Sequence, residues 1–354
     1  MSLDAAIAAA HQVAAEKVRG CSRPVRLVGS TTTLNGSTGE ILDSYSSASE
    51  IDGHTYTRCG DRRAWLCESC SHEYKGDAWH LLSTGLTGGK GTPETVAEHP
   101  ALFLTLTAPS FGLVHGIRKK GPCRGRRDHP VCAHGRPAWC SKRHHPDDAQ
   151  LGEPLCGACY DYAGHVAWQW WAPELWRRTT ITLTRAVADA LGVARSKARE
   201  HFKLSYSKVT EFQARGVVHF HVVMRLDGPD GPTSPAPSLT TDALAEIVTT
   251  AVAGVRVEKP TVEGELVALR WGTQADIRPI TSTAGRDAST GNAHPHQVSS
   301  YLAKYLTKSC EDFGIRRHIR HLGDTRGLRP HVRAIIETAQ AMSRLPGCEA
   351  ITKR

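Results

Sequence analysis

The stretch Glu211-Phe-Gln-Ala-Arg-Gly-Val-Val-His-Phe-His221 constrains the fold more than any other. Two apolar runs flank Ala214-Arg215-Gly216, and Gly216 tolerates the positive φ that a tight turn requires, so the segment reads as a β-hairpin. Strand side chains alternate faces, which sends His219 and His221 the same way and Phe220 into the opposite layer. With the turn centred at Arg215-Gly216, Glu211 falls opposite His219 on the shared face. Two imidazoles and a carboxylate form a donor set for one divalent ion that leaves positions open for water or a phosphate oxygen. The same pattern also suits two hydrogen-bonded histidines of a half-buried strand.

A second constellation lies further on, in Tyr301-Leu-Ala-Lys304-Tyr305-Leu-Thr-Lys308. At helical period Tyr301, Lys304, Tyr305 and Lys308 fall at i, i+3, i+4 and i+7, so two phenols and two ammonium groups share one face. An amphipathic helix with tyrosines at the core edge gives the same spacing. Next to a metal site, neighbouring lysines and a polarised phosphate would activate a phenol for attack on a phosphodiester.

Val217-Val-His219-Phe-His221 resembles the His-hydrophobic-His motif of the HUH endonucleases, and Tyr301-x-x-Lys304-Tyr305 resembles their two-tyrosine motif. Phe103-Leu-Thr-Leu-Thr107 is similar to the first strand motif of that superfamily. Cys67-Glu-Ser-Cys70, Pro154-Leu-Cys-Gly-Ala-Cys159-Tyr-Asp-Tyr162, Pro173-Glu-Leu-Trp-Arg-Arg178 and Trp271-Gly-Thr-Gln-Ala-Asp276-Ile-Arg-Pro279 resemble actinobacterial plasmid replication initiators of the RepSA type. The resemblance covers residues from about 55 to 310. It implies an α+β fold: an HUH endonuclease-like antiparallel sheet of about five strands flanked by helices, with a zinc-binding insertion after the Phe103–Thr107 strand. It implies Mg²⁺ or Mn²⁺ at His219, His221 and Glu211. Tyr301 and Tyr305 become nucleophiles, assisted by Lys304, that nick and rejoin single-stranded origin DNA through a 5′-phosphotyrosine. A non-catalytic zinc-stapled DNA-binding protein, a transposase or relaxase with the same chemistry, and a hydrolytic metalloenzyme remain as alternatives.

Of the 11 cysteines, eight fall between Cys59 and Cys159, a concentration that suits structural zinc better than a secreted disulfide framework. The expected partition is Cys132, Cys140, Cys156 and Cys159 in one site. Cys59, Cys67, Cys70 and Cys123 form the second, with His80, His134 or His144 as possible replacements. Cys21, Cys310 and Cys348 read as ordinary thiols. The formal charge of +9 points to a polyanionic partner. The resemblance implies that this partner is single-stranded and duplex origin DNA, with a host helicase and polymerase completing replication. Arg118-Lys-Lys120 and Arg124-x-Arg126-Arg127 suit phosphate contacts or a solvated loop equally.

The chain divides in expectation into a peripheral lead-in at 1–55, with a helix through Ala5 to Val18, and a nicking domain at 56–310 containing zinc segments 59–70 and 123–159. A basic extension follows at 311–354. A helix spans Ser71 to Leu82. Trp168, Trp170, Trp171 and Trp176 suit packing onto a sheet, or stacking on bases. Thr179-Thr-Ile-Thr-Leu-Thr184 reads as a strand, and Thr281 to His294 as a loop. Asp276 is either an acidic residue near the metal or a strand-edge aspartate. No apolar run of roughly 18 residues and no secretory leader is evident, which gives a cytoplasmic expectation. The absence of a Walker-type glycine loop argues against helicase activity.

Overall fold

The computed structural model describes residues 16, 18–50, 52–281, 292–308, 313–315, 319, 322–345 and 348. Residues 5–15 and 17 of the expected first helix, 282–291 of the expected loop, Cys310, and 316–318 and 320 of the basic tail lie outside them. The chain falls into two compact units, 1–81 with 306–308, and 82–305 with 309–354.

In the first unit β1 (Val25–Leu27) pairs antiparallel with β4 (Thr55–Thr57), and β2 (Ser30–Leu34) with β3 (Ile41–Ser46). The helix α1 (Glu68–Thr87) begins beside a cysteine cluster. It is longer than the expected Ser71–Leu82 segment because Cys67 and Cys70 open it and no proline interrupts it before Thr87.

The second unit is built on one sheet. In chain order it comprises β5 (Ala101–Leu106), α2 (Tyr162–Ala190), the short α3 (Ala198–His201), β6 (Lys203–Phe212), β7 (Val218–Asp227) and α4 (Thr241–Gly254). These are followed by β8 (Val257–Pro260), β9 (Leu266–Leu269), β10 (Asp276–Pro279), α5 (Pro295–Leu306) and α6 (Pro330–Met342). The sheet runs β10-β5-β7-β6 with every pair antiparallel, and β8 and β9 make a separate hairpin. The fold is therefore α+β, as expected. Among the described residues the sheet has four strands and not about five, the segment expected as a further strand at Thr179–Thr184 being helical.

Alternation divides the sheet into two faces. Leu102, Leu104 and Leu106 of β5 and Phe220, Val222, Met224 and Leu226 of β7 are buried on one face, against Trp168, Leu175 and Leu183 of α2 and Leu244 and Val248 of α4. Phe103, Thr105, His219 and His221 occupy the other. At roughly 25 cal/mol per Å² of apolar surface removed from water, this layer dominates the stability of the unit.

The strand expected at Thr179–Thr184 is instead the middle of α2. Leu175, Thr179, Leu183 and Val187 recur every four residues and are all buried, so the helical period overrides the β-branched alternation. Three of its hydroxyls find acceptors within the helix: Thr179 Oγ1 donates to Leu175 O at 2.8 Å, Thr180 Oγ1 to Arg177 O at 2.9 Å and Thr184 Oγ1 to Thr180 O at 2.9 Å. Thr179 Oγ1 also accepts the Trp271 indole N–H at 2.9 Å. Asp161 caps the start of α2, accepting from Gly164 N at 2.7 Å. Trp168 and Trp176 pack on the sheet, while Trp170 and Trp171 pack on the α6 cluster of Val332 and Ile335.

Candidate functional site

The β6–β7 hairpin has the register that alternation predicts. Glu211 pairs with His219 and Val209 with His221, while Gly216 sits at φ +81 in the turn. On the other side of β7, β5 sets Thr105 opposite His221. His221 is nearly fully buried, and its contacts assign its tautomer: Nε2–H donates to Glu211 Oε2 at 2.9 Å and Nδ1 accepts from Thr105 Oγ1 at 3.2 Å. His219 lies beside it with ring centres 6.0 Å apart. Burial, reinforced by His221, pushes His219 down to about 4, so it is neutral near pH 7, the form that ligates metals. The backbone N–H of Val218 donates to Gln169 Oε1 of α2 at 3.2 Å, which fixes where the histidine strand starts.

The tyrosine helix brings its phenols to this pair. The Tyr301 hydroxyl stands 3.4 Å from His221 Nε2, and the His221 ring is centred 5.1 Å from Tyr301 and 5.5 Å from Tyr305. The two phenol rings are 4.6 Å apart, and Phe103 packs against both His221 and Tyr301. Lys304 Nζ lies 5.8 Å from the Tyr305 ring centre. Leu302 and Ala303 are buried and anchor the opposite side of α5. Lys308, expected on the same helical face, follows the last helical residue, Leu306. Burial first, and then the Tyr305 hydroxyl, raise the Tyr301 phenol above its ordinary value. Asp276 pairs in register with Thr105 and holds Arg278 at 2.7 Å, as a strand-edge aspartate.

Among the described residues, three groups bring their ligand atoms within 4.8 Å of one another: Cys21, Cys59, Cys67 and Cys70; His115, Cys123, Cys140 and His144; and Cys132, His134, Cys156 and Cys159. His219, His221 and Glu211 are not so gathered. The three Cys/His groups could hold zinc, whose tetrahedral sites take such donors. This corrects the expected partition into two sites. Reciprocal backbone bonds between Arg124 and Cys140, at 2.9 and 3.0 Å, draw Cys123 to Cys140. His134, at 3.1 Å from Cys159 Sγ, takes the place expected for Cys140. Cys21 is a cluster member and not an ordinary thiol, its Sγ 3.8 Å from that of Cys67. His80 belongs to none of the three. His115 was not foreseen; the Cys140-x3-His144 spacing is the one local signal for its centre.

Each outer cluster contains one thiol held well below the ordinary range. Burial would raise Cys67, but hydrogen bonds from the Cys70 backbone and Ser22 hold it at about 6. The backbone N–H groups of Arg136 and His134 likewise overcome burial at Cys132 and hold it at about 6. Thiolate is the ligating form. In the middle cluster His144 Nδ1 meets Asp148 Oδ2 at 2.6 Å, leaving Nε2 toward Cys140 and His115.

An α+β protein with paired histidines on a central strand and three Cys/His clusters is the class defined so far. The family model described as replication initiator protein, pSAM2 (RepSA) matches residues 8–354. A replication initiator protein of Streptomyces ambofaciens is 39% identical over 333 residues, covering 92% of this chain and 68% of that protein. The chain belongs to the RepSA family of replication initiators. No solved structure matches it. Among the described residues no helix is long and apolar enough to cross a membrane.

Proposed function

We propose that this chain starts rolling-circle replication of a plasmid by nicking single-stranded or unwound origin DNA at a tyrosine and later rejoining it, with an HUH-like sheet as scaffold. The observation that carries the reading is the approach of two phenols, from a helix far along the chain, to the histidine pair: Tyr301 Oη lies 3.4 Å from His221 Nε2. A core-edge helix would have no reason to direct both hydroxyl-bearing rings at the single face carrying His219, His221 and Glu211.

Two imidazoles, one kept neutral by burial, and one carboxylate share a face and are donor types that a divalent ion accepts, once the ion replaces the hydrogen bond between His221 Nε2 and Glu211. Mg²⁺ or Mn²⁺ held there by His219, His221 and Glu211 would withdraw charge from the scissile phosphate. The phenol oxygen of Tyr301 or Tyr305 forms a bond to phosphorus as the bond to the 3′ oxygen breaks. The phenol loses one proton and the 3′ oxygen gains one, leaving a 5′-phosphotyrosine and a 3′-OH for the host polymerase. The second tyrosine cleaves the regenerated origin, and reversal of the step rejoins the strand. Lys304 supplies positive charge beside the reacting phosphate. The three Cys/His clusters would hold structural zinc, and the basic balance suits origin DNA with a host helicase as partner.

The test is incubation of the full chain with Mn²⁺ and single-stranded origin oligonucleotides, followed by denaturing electrophoresis. A covalent adduct is expected with the native chain and none with Tyr301→Phe/Tyr305→Phe. Origin binding without any adduct would instead favour a DNA-binding protein without chemistry.

A further inference from the structure

Beyond the end of β5, between the β6–β7 turn and the loop that carries His115 and Cys123, lies a cavity of about 500 Å³ that the chemistry above does not use. That volume falls within the range of sites built for small ligands, roughly 300–1,000 Å³. The cavity adjoins the candidate centre. Thr107 continues β5 in phase with Phe103 and Thr105, and Gln213 continues β6 in phase with Glu211. Each lies two residues past the level of His221 or His219, a distance of roughly 7 Å by strand rise.

Polar and apolar residues share the walls. Arg124, Arg215, His115, Thr107, Gln213 and Gln274 supply the polar part, and among the described residues no aspartate or glutamate lines the space. The guanidiniums are held before any ligand arrives. Arg215 Nε donates to Gln213 Oε1 at 2.9 Å and Nη1 to Pro109 O at 3.2 Å, while Arg124 Nε donates to Val114 O at 3.1 Å. Backbone closes much of the remainder. A Cβ on Gly272 would lie 2.6 Å from Ala108 O, and one on Gly152, at φ +80, would run into the Ala214 carbonyl. These approaches keep side chains out of the hole. Fixed guanidiniums select an anion, and the glutamines that line the same space suit a group presenting both donors and acceptors. A nucleotide combines the two.

We propose that this cavity receives one unpaired nucleotide of the DNA strand next to the nicked linkage. Gln213 and Gln274 meet the base edge and Arg124 and Arg215 the phosphate, so the cavity helps to decide which sequence reaches the tyrosines. The role rests on the nicking reading, whereas the binding can be measured without it. A free nucleotide offers the same chemistry, and the experiment separates the two sources.

The full chain bearing Tyr301→Phe/Tyr305→Phe is titrated by fluorescence anisotropy against labelled single-stranded oligonucleotides tiled across the origin. The tightest is then remade with an abasic nucleotide at each position in turn. One position is expected where loss of the base weakens binding about tenfold, a ~1.4 kcal/mol difference. Gln213→Ala/Gln274→Ala should erase that penalty and leave the circular dichroism spectrum unchanged. Arg177→Ala, a change on the exposed side of α2, should preserve the penalty. Free 5′-deoxynucleoside monophosphates should compete with the oligonucleotide. No sensitive position, a penalty that survives in the double glutamine variant, or monophosphate binding that leaves the oligonucleotide in place would each overturn the proposal. Adduct formation by the native chain is scored separately. An adduct without a sensitive base removes the pocket and leaves the nicking, and a sensitive base without an adduct does the reverse.

Discussion

Replacing Asp227 by alanine tests the account of how the histidine strand is held. Asp227 is fully buried at the far end of β7 and accepts from Arg225 Nε at 2.6 Å and Nη2 at 2.9 Å, Ser205 Oγ at 2.6 Å and His99 Nδ1 at 2.7 Å. Arg225 is itself buried and donates through Nη1 to the Gly85 carbonyl. Burial opposes the charge on Asp227, but Arg225, Ser205 and His99 together hold its carboxyl below the usual range. Its contribution is therefore complete above about pH 4 and is lost only as pH falls further. Asp227→Ala leaves a guanidinium buried without its counter-charge, which costs about 3–5 kcal/mol. A domain stable by about 5–15 kcal/mol would lose much of its margin, and the melting temperature should fall by roughly 10 °C. The assay is urea unfolding at neutral pH with zinc in excess, followed by fluorescence of the tryptophans packed on the sheet. Arg225→Met/Asp227→Leu, which removes both charges and keeps apolar volume, should recover at least half of the loss. A loss below about 1 kcal/mol for Asp227→Ala, or a double variant as unstable as the two single changes summed, would refute the reasoning.

Acid should loosen the α6 contact: burial pushes His331 down to about 4, while its Nε2–H donates to Arg215 O at 3.0 Å and its Nδ1 accepts from Tyr162 at 3.1 Å. The neutral form is the folded one, so this stability is complete above the ordinary histidine value of about 6.5 and is lost as pH falls toward 4, ~3 kcal/mol in all. Urea midpoints measured between about pH 7 and pH 4.5 should drop less steeply in His331→Gln than in the native chain; parallel curves would rule the assignment out. If the three clusters hold zinc as proposed, Asp148→Asn should weaken one of the three ions about 10- to 100-fold in a chelator competition and leave the other two unchanged. An unaltered competition curve would mean that Asp148 does not support the ligand His144.

What the sequence disclosed was mostly local. The pairing of Glu211 with His219 follows from alternation and one turn, and both are set within about ten residues. The placement of β5 beside β7 came from the resemblance, since no residue pattern in Leu102–Thr107 names its neighbour. Thr179–Thr184 misled because three threonines in alternation match a strand, while the four-residue recurrence from Leu175 to Val187 shows only over a longer window. The cysteine partition failed for a different reason. Cys123 is brought to Cys140 by a backbone bridge between Arg124 and Cys140 across a loop, and Cys21 reaches its partners from 38 residues before Cys59, distances that spacing cannot encode. His115 carries no motif of its own.

The run from Leu113 to Cys156 contains no helix and no strand pairing beyond isolated bridges, yet it carries every member but Cys159 of two of the Cys/His clusters and one wall of the cavity. Its order has little apolar interior to draw on, so with zinc in its clusters, as proposed, it would depend on ions supplied from outside, whereas the sheet and its helices would not. Zinc starvation would therefore act unevenly, slackening the wall while the two phenols keep their place beside His221. On the proposed nicking and nucleotide-binding readings, a starved initiator would lose its discrimination among DNA sequences before it lost the capacity to cut.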